Sequence, residues 1–386
     1  MIRNNTFPTD PGRRWILAKL LGIPPFLLGL QSLDDLLAQQ EAGRKMKRPQ
    51  KAGASQAMAG TRQFSLEEYR RALGNYWQQH RTDTLLGEIS DIHRRIRVLE
   101  KKALYGEQQV KEQCIPLLCG YHMLLANFNT DREHYDAAIL HLNEAYALAK
   151  EKRLSRLQAT ILLRRGWACK ERGEKFARLP DFEAAQRDFA CAATDYQAAF
   201  NISQQAYPNL LGAVTISLGK IGAETAHTPK EFKDAIVKID QAASFIGRDN
   251  DDEDLHFVHT DEVRYHLDRA QAYLIAPERV VQYPQDARRE LREALSATQP
   301  PYPKRRQAYS LVLDAQSYFI EREYEQSARK AREAVILARE IGSTINITRV
   351  ASLYEVMLVA DGPKNNVDMA VLEIELRKTL YPDLFS

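Results

Sequence analysis

Four cysteines in 386 residues, none spaced C-x-x-C, are too few to staple a fold. A chain of this length buries a core without them. Cys114, Cys119, Cys169 and Cys191 therefore read as free thiols on helices in a reducing compartment. Long apolar runs are missing as well. The most apolar stretch, Trp15 to Leu30, is interrupted by Lys19 and by Pro24-Pro25. It falls short of the roughly 20 residues that a membrane span needs, so no membrane partner is expected. Arg13-Arg14 precede it, as in a signal peptide, but Asp10 lies upstream and no A-x-A site follows. The expected location is cytoplasmic. Neither sign of charge dominates: 54 Lys and Arg face 51 Asp and Glu, a net charge of +3. That balance does not suggest a general nucleic-acid coat.

Catalytic signatures are equally scarce. No G-x-S-x-G occurs, and no Cys–His pair has a supporting local motif. Gly212 and the Gly219-Lys220 pair mimic a phosphate loop only superficially, because six residues intervene and Ile221 replaces the required Ser or Thr. His256, His259 and His266 come without an H-E-x-x-H or a nearby cysteine. The acidic run at 248–254 lacks the glycine and glutamate of a calcium loop. The expectation is a protein that is not an enzyme, with no cofactor and no metal.

What the chain does have is helical periodicity. Residues 1–43 read as an N-terminal helical segment, and 44–63, basic and without period, as a flexible linker. Residues 64–109 form amphipathic connecting helices. The first opens on Ser65 and Glu68 at capping-box spacing, and Leu66, Tyr69, Leu73 and Tyr76 fall on one face. Leu85, Ile89, Ile92, Ile96 and Leu99 make the next apolar stripe.

From residue 110 to 386 the text repeats. Tyr135, Ala138, Leu142 and Ala145 match Phe182, Ala185, Phe189 and Ala192, then Phe232, Ala235, Ile239 and Ala242. Ala287, Leu291 and Ala294 follow without a clear leading aromatic. Tyr324, Ser327, Ala331 and Ala334 complete the series. Such positions share one helix face, where alanines admit a neighbouring helix and the aromatic fills the gap beside them. A second amphipathic helix precedes each copy. Neither can bury its face alone, so stacked pairs must do it for each other. Residues 344–381 read as a final capping pair. Trp77 and Trp167 read as core.

These copies resemble tetratricopeptide (TPR) repeats. Gly166 with Gly173, Ala270 with Tyr273, and Ala315 with Tyr318 stand where that family has its small residue and its turn glycine or tyrosine. The small markers Ala138, Ala185, Ala235, Ala287 and Ser327 are 47, 50, 52 and 40 residues apart, longer than the family's period of about 34. Long, degenerate units of this kind look like the sensor arms of bacterial regulators. The resemblance implies an all-α, TPR-like α-solenoid, a right-handed superhelix of antiparallel pairs with a short N-terminal helical segment. It also implies recognition of a protein, peptide or small effector in the groove, with a role in regulation or signalling. By register, Asn127, Lys170, Arg264, Gln271 and Gln316 are the groove candidates.

The stretch "LAKLLGIPPFLLGL", residues 17–30, has helix-turn-helix spacing at Ala18, Gly22 and Leu28. It resembles the junction that follows an XRE-type DNA-binding unit in TPR-bearing regulators, although the reading unit itself has no counterpart in residues 1–16. Phe26-Leu27-Leu28 stand where a recognition helix needs polar side chains. A small apolar hairpin that docks on the solenoid or a partner is the first reading. The alternative is DNA binding through this segment, with Arg44, Lys45, Lys47 and Arg48 on phosphates.

Overall fold

A computed structural model describes residues 64–82, 85–178, 181–204, 207–246, 258, 260–275, 283–297, 303–360 and 366–381. The N-terminal hairpin, the basic linker with Arg44, Lys45, Lys47 and Arg48, and His256 and His259 lie outside the described residues. From Phe64 on, the chain forms one compact unit. Among the described residues it holds fourteen α-helices, one short 3-10 turn at Ala242–Phe245, and no strand. The helices are α1 Leu66–Thr82, α2 Ile89–Tyr105, α3 Gln108–Asp131, α4 Tyr135–Glu151, α5 Ser155–Arg178, α6 Phe182–Ser203 and α7 Pro208–Glu224. They continue with α8 Pro229–Gln241, α9 Glu262–Leu274, α10 Pro284–Ser296, α11 Lys304–Ile320, α12 Tyr324–Glu340, α13 Thr344–Val359 and α14 Val367–Leu380. None of them is long and apolar enough to cross a membrane.

From α2 on each helix packs on the next, α1 packs on α3, and from α3 to α13 each odd-numbered helix also touches the following odd one. The odd helices therefore form one layer and the even ones the other. The core follows the chain in overlapping clusters, from Tyr69 to Ala168, Ala159 to Val258, Ile216 to Leu313 and Val312 to Leu376. A core that advances with sequence, each unit sealed by its neighbours, is a solenoid.

The small-residue stripe is what brings the layers together. Ala138, Ala145, Ala192, Ala242, Ala287, Ala294, Ser327, Ala331 and Ala334 are all fully buried. On the facing helices, glycine replaces alanine where a ring must pass. A Cβ on Gly166 would stand 2.6 Å from the Tyr196 ring, and one on Gly173 would stand 2.7 Å from Phe189. Phe182 departs from the expected pattern: it is 68% exposed, and Phe189 is the aromatic of that repeat that packs, over Gly173. The missing aromatic of the fourth copy is displaced by one residue to Tyr283, which stacks on Phe232 at 5.6 Å.

Four hairpins share one turn. In each, a left-handed residue (Glu133, Arg153, Arg322 or Gly342) follows the helix, and the next amide donates back to a carbonyl five residues earlier. That is a Schellman closure, which satisfies otherwise orphaned carbonyls. At α1, Ser65 Oγ accepts from the Glu68 amide at 3.3 Å. The Glu68 carboxylate meanwhile pairs with Arg95 of α2 at 3.2 Å. All four cysteines are free, and Cys191 alone is exposed.

Candidate ligand cavity

The odd-numbered layer curves until its ends meet: α11 packs on α1, and α13 on α3. Arg305 of α11 fastens the closure. Its Nε donates to the His80 carbonyl, Nη1 pairs with Asp131 Oδ2 at 2.7 Å and Nη2 donates to the Ile341 carbonyl at 3.1 Å. Ser343 Oγ donates to the other Asp131 oxygen at 2.8 Å. Further in, Arg349 of α13 reaches Glu171 of α5 at 2.6 Å. These partners are 174, 212 and 178 residues apart in sequence.

Inside the closure lies a cavity of about 920 Å³. Among the described residues its lining carries eight arginines and lysines against five aspartates and glutamates, with Trp77, Trp167, Tyr196 and Tyr309 among them. The surplus of cations is felt by the groups themselves. Burial pushes the Arg81 guanidinium below its usual range, and the Arg306 charge adds to this while Asp261 opposes it. Burial also holds His80 well below the usual imidazole range, reinforced by Arg305, Arg164 and Arg81. An anion placed here gains from each of these cationic charges.

A polar relay crosses the α1–α3–α5 wall. Arg164, stacked over the Trp77 ring at 4.5 Å, donates to Asn127 Oδ1 at 3.3 Å. That fixes the amide, so Asn127 Nδ2 faces His80 Nε2 at 2.7 Å. Nε2 then accepts, and the proton sits on Nδ1, which is buried with no hydrogen-bond partner among the described residues. His80 thus lines the cavity with its Nδ1 donor buried beneath the surface.

The expected groove residues divide between two spaces. Asn127, Lys170 and Arg264 line this cavity, and Gln271 and Gln316 line a smaller one of about 190 Å³ beside it. The partition between them is ionic. Lys170, 2% exposed, pairs with Glu174 and lies 3.5 Å from Glu224. Arg349 lies 3.7 Å from Glu174, and Gln271 Nε2 donates to that carboxylate at 3.3 Å. Burial opposes the Lys170 charge, but Glu174, Glu224 and Glu171 hold the ammonium well above the ordinary lysine range. Glu224 is pushed up to about 7 by burial and by the Glu174 and Glu171 charges, against Lys170. Lys170 is thus a buried structural ion as well as a wall residue. Arg264 pairs with Asp268 at 3.3 Å, and Lys220 with the same carboxylate at 2.6 Å.

Trp167 is not core: it is 39% exposed on the cavity, its Nε1 donating to Glu171 at 3.0 Å. The sequence reading missed it, along with Arg164, Arg305, Arg306 and Arg349. Their signal was a polar stripe opposite the apolar one on the odd helices, at Arg164, Trp167 and Glu171, or Asp261, Arg264 and Asp268. Of the histidines weighed for metal, His266 bonds Glu290 at 2.8 Å. The chain matches no family model and no curated protein.

Proposed function

We propose that the protein is a non-enzymatic recognition module of the TPR-like kind, a regulatory sensor or adaptor whose central cavity takes a small organic anion or the acidic end of a short peptide. The carrying observation is a half-open cavity whose described lining combines a surplus of guanidinium and ammonium groups with aromatic rings. Its volume falls in the range of about 300–1,000 Å³ usual for ligand pockets. Carboxylate or phosphate oxygens suit arginine forks, and aromatic faces suit the apolar remainder of a ligand. Regulation follows from the closure, because residues on α1, α3, α11 and α13 both line the cavity and fasten the ring. A ligand that prefers the closed ring stabilises it by that difference in affinity.

The test is gentle purification of the full chain, denaturation, and mass spectrometry of the small molecules released. It is followed by titration of those molecules, and of di- and tricarboxylates, sugar phosphates and acidic peptides, against Trp fluorescence. A saturable one-to-one signal that Trp167→Phe diminishes and Arg264→Gln weakens by tenfold or more supports the reading. Neutral or cationic ligands bound in preference to anions, or no ligand from either source, overturn it.

A further inference from the structure

Away from the cavity, between α3 and α4, three metal-ligating atoms converge. His122 and His141 face each other with their Nδ1 atoms 3.2 Å apart. Glu144, one turn beyond His141, places Oε2 3.3 Å from the first Nδ1 and 3.7 Å from the second. Two ligands held about 2.0–2.1 Å from one zinc at the tetrahedral angle stand about 3.3 Å apart; at a right angle they stand about 2.9 Å apart. The triangle has the size of a tetrahedral site, needing shifts of only about a few tenths of an ångström.

We propose that His122, His141 and Glu144 form a binding site for a divalent d-block cation, zinc in the first place, with water in the fourth position. Two imidazoles and a carboxylate suit zinc, whereas calcium and magnesium take oxygen ligands alone and copper(I) prefers thiolate or thioether. A divalent ion at the centre of the triangle satisfies all three atoms at once. Burial lowers both His122 and His141, and the His141 and His93 charges act in the same direction on His122. Charges on α2 reach the site as well: His93 acts on His122, and Glu144 acts on Glu100. None of the three ligands lines either cavity, so the site stands or falls apart from the ligand reading above.

A second cluster, Cys169, Cys191 and Asp195, sets the control. Its thiols lie 3.1 Å apart, and thiolates bind zinc well. The test uses the full reduced chain, stripped with chelator, titrated with zinc chloride by calorimetry and with cobalt(II) by absorption. The variants are His141→Ala, Glu144→Gln and the double variant Cys169→Ser/Cys191→Ser. His141 and Glu144 lie at the rim, their side chains 20% and 50% exposed, so their loss leaves the core intact. Expected are one bound zinc per chain and the strong visible bands of tetrahedral cobalt. Losing a ligand weakens binding by more than the about 10–100-fold that losing a supporting hydrogen bond costs. The cysteine variant binds as before. Binding unchanged in His141→Ala and Glu144→Gln, or a thiolate-to-cobalt band in the near ultraviolet, overturns the proposal. So does octahedral cobalt or no saturable binding in the unsubstituted chain, which needs no variant to fold.

Discussion

Replacing Lys170 by methionine isolates the electrostatics of the partition. The ammonium is 2% exposed and sits between Glu174 and Glu224. Methionine keeps most of the volume, so packing changes little. Glu174 retains Arg349 at 3.7 Å, Arg178 at 3.8 Å and the Gln271 amide at 3.3 Å. Glu224 loses the cation 3.5 Å from it and keeps only the more distant influence of Lys220 among the described residues. Breaking a buried pair on one side costs about 3–5 kcal/mol. Glu224, already pushed up to about 7, limits that loss by taking a proton instead of standing charged. We expect about 3 kcal/mol at neutral pH.

The sign of the pH dependence is fixed. A carboxyl whose folded pKa is raised above 4.5 contributes stability that is full below 4.5 and lost as pH rises through the folded value. The Lys170→Met penalty must therefore be larger at pH 8 than at pH 5. Adding Glu224→Gln must recover part of it at pH 8 and little at pH 5. Urea unfolding by circular dichroism measures both, with tryptophan fluorescence compared between the chain and its Trp167→Phe variant as the local reporter, since repeat arrays need not unfold in one step. A single variant within about 0.5 kcal/mol of the parent, the usual range for surface changes, refutes the reasoning. So does a double variant no more stable than the single one at pH 8.

Other perturbations follow from the same geometry. Arg305→Met leaves Asp131 with Ser343 as its nearest partner. It should cost about 3 kcal/mol and increase the radius of gyration in small-angle scattering; an unchanged radius would separate the clasp from the closure. His122 is neutral when folded, with its pKa held to about 4 against the usual 6.5. Its stability contribution is present above pH 6.5 and is lost on acidification towards 4, up to about 3 kcal/mol. In chelator, stability of the His122→Asn variant should fall less steeply over that window. Arg153 is exposed and left-handed at φ 55°. Arg153→Gly should stabilise the α4–α5 turn by up to about 1 kcal/mol in chemical denaturation, and destabilisation would count against the turn.

Local pattern carried the all-α solenoid. Alanine spacing identified the helix faces because a small residue at a helix crossing leaves the same trace wherever the crossing occurs. The aromatic position was less legible. Phe182 satisfies the spacing yet is exposed, since its burial depends on what lies opposite, and Phe189 takes the packing role. Trp167 failed for a related reason: it stands on the inner face of α5, but that face is a cavity wall only because helices more than 130 residues later return to it. The pairs Arg305–Asp131 and Arg349–Glu171 span 174 and 178 residues, and no window over the sequence contains both partners. His141 and Glu144 show a visible H-x-x-E spacing on one helix, while His122 comes from the helix before. Register alone placed Asn127, Lys170 and Arg264 on one cavity wall, but it gave no hint that Lys170 is already committed to Glu174.

Ring closure and the buried ions are one problem. An open solenoid leaves its inner face to water, so arginines there need no fixed partners. Once α11 and α13 meet α1 and α3, the same side chains are enclosed, and each charge needs a counter-charge or a hydrogen bond. Asp131, Glu171, Glu174, Asp261 and Asp268 supply these for Arg305, Arg349, Lys170, Arg306 and Lys220. Among the described residues that line the cavity, bases outnumber acids. A helical ring that only needed to close would be stabler with an apolar seam, because exchanging a buried ion pair for packed hydrophobic residues is often neutral or favourable. Retaining guanidinium around an aromatic-lined space makes sense if a further counter-charge arrives with a ligand.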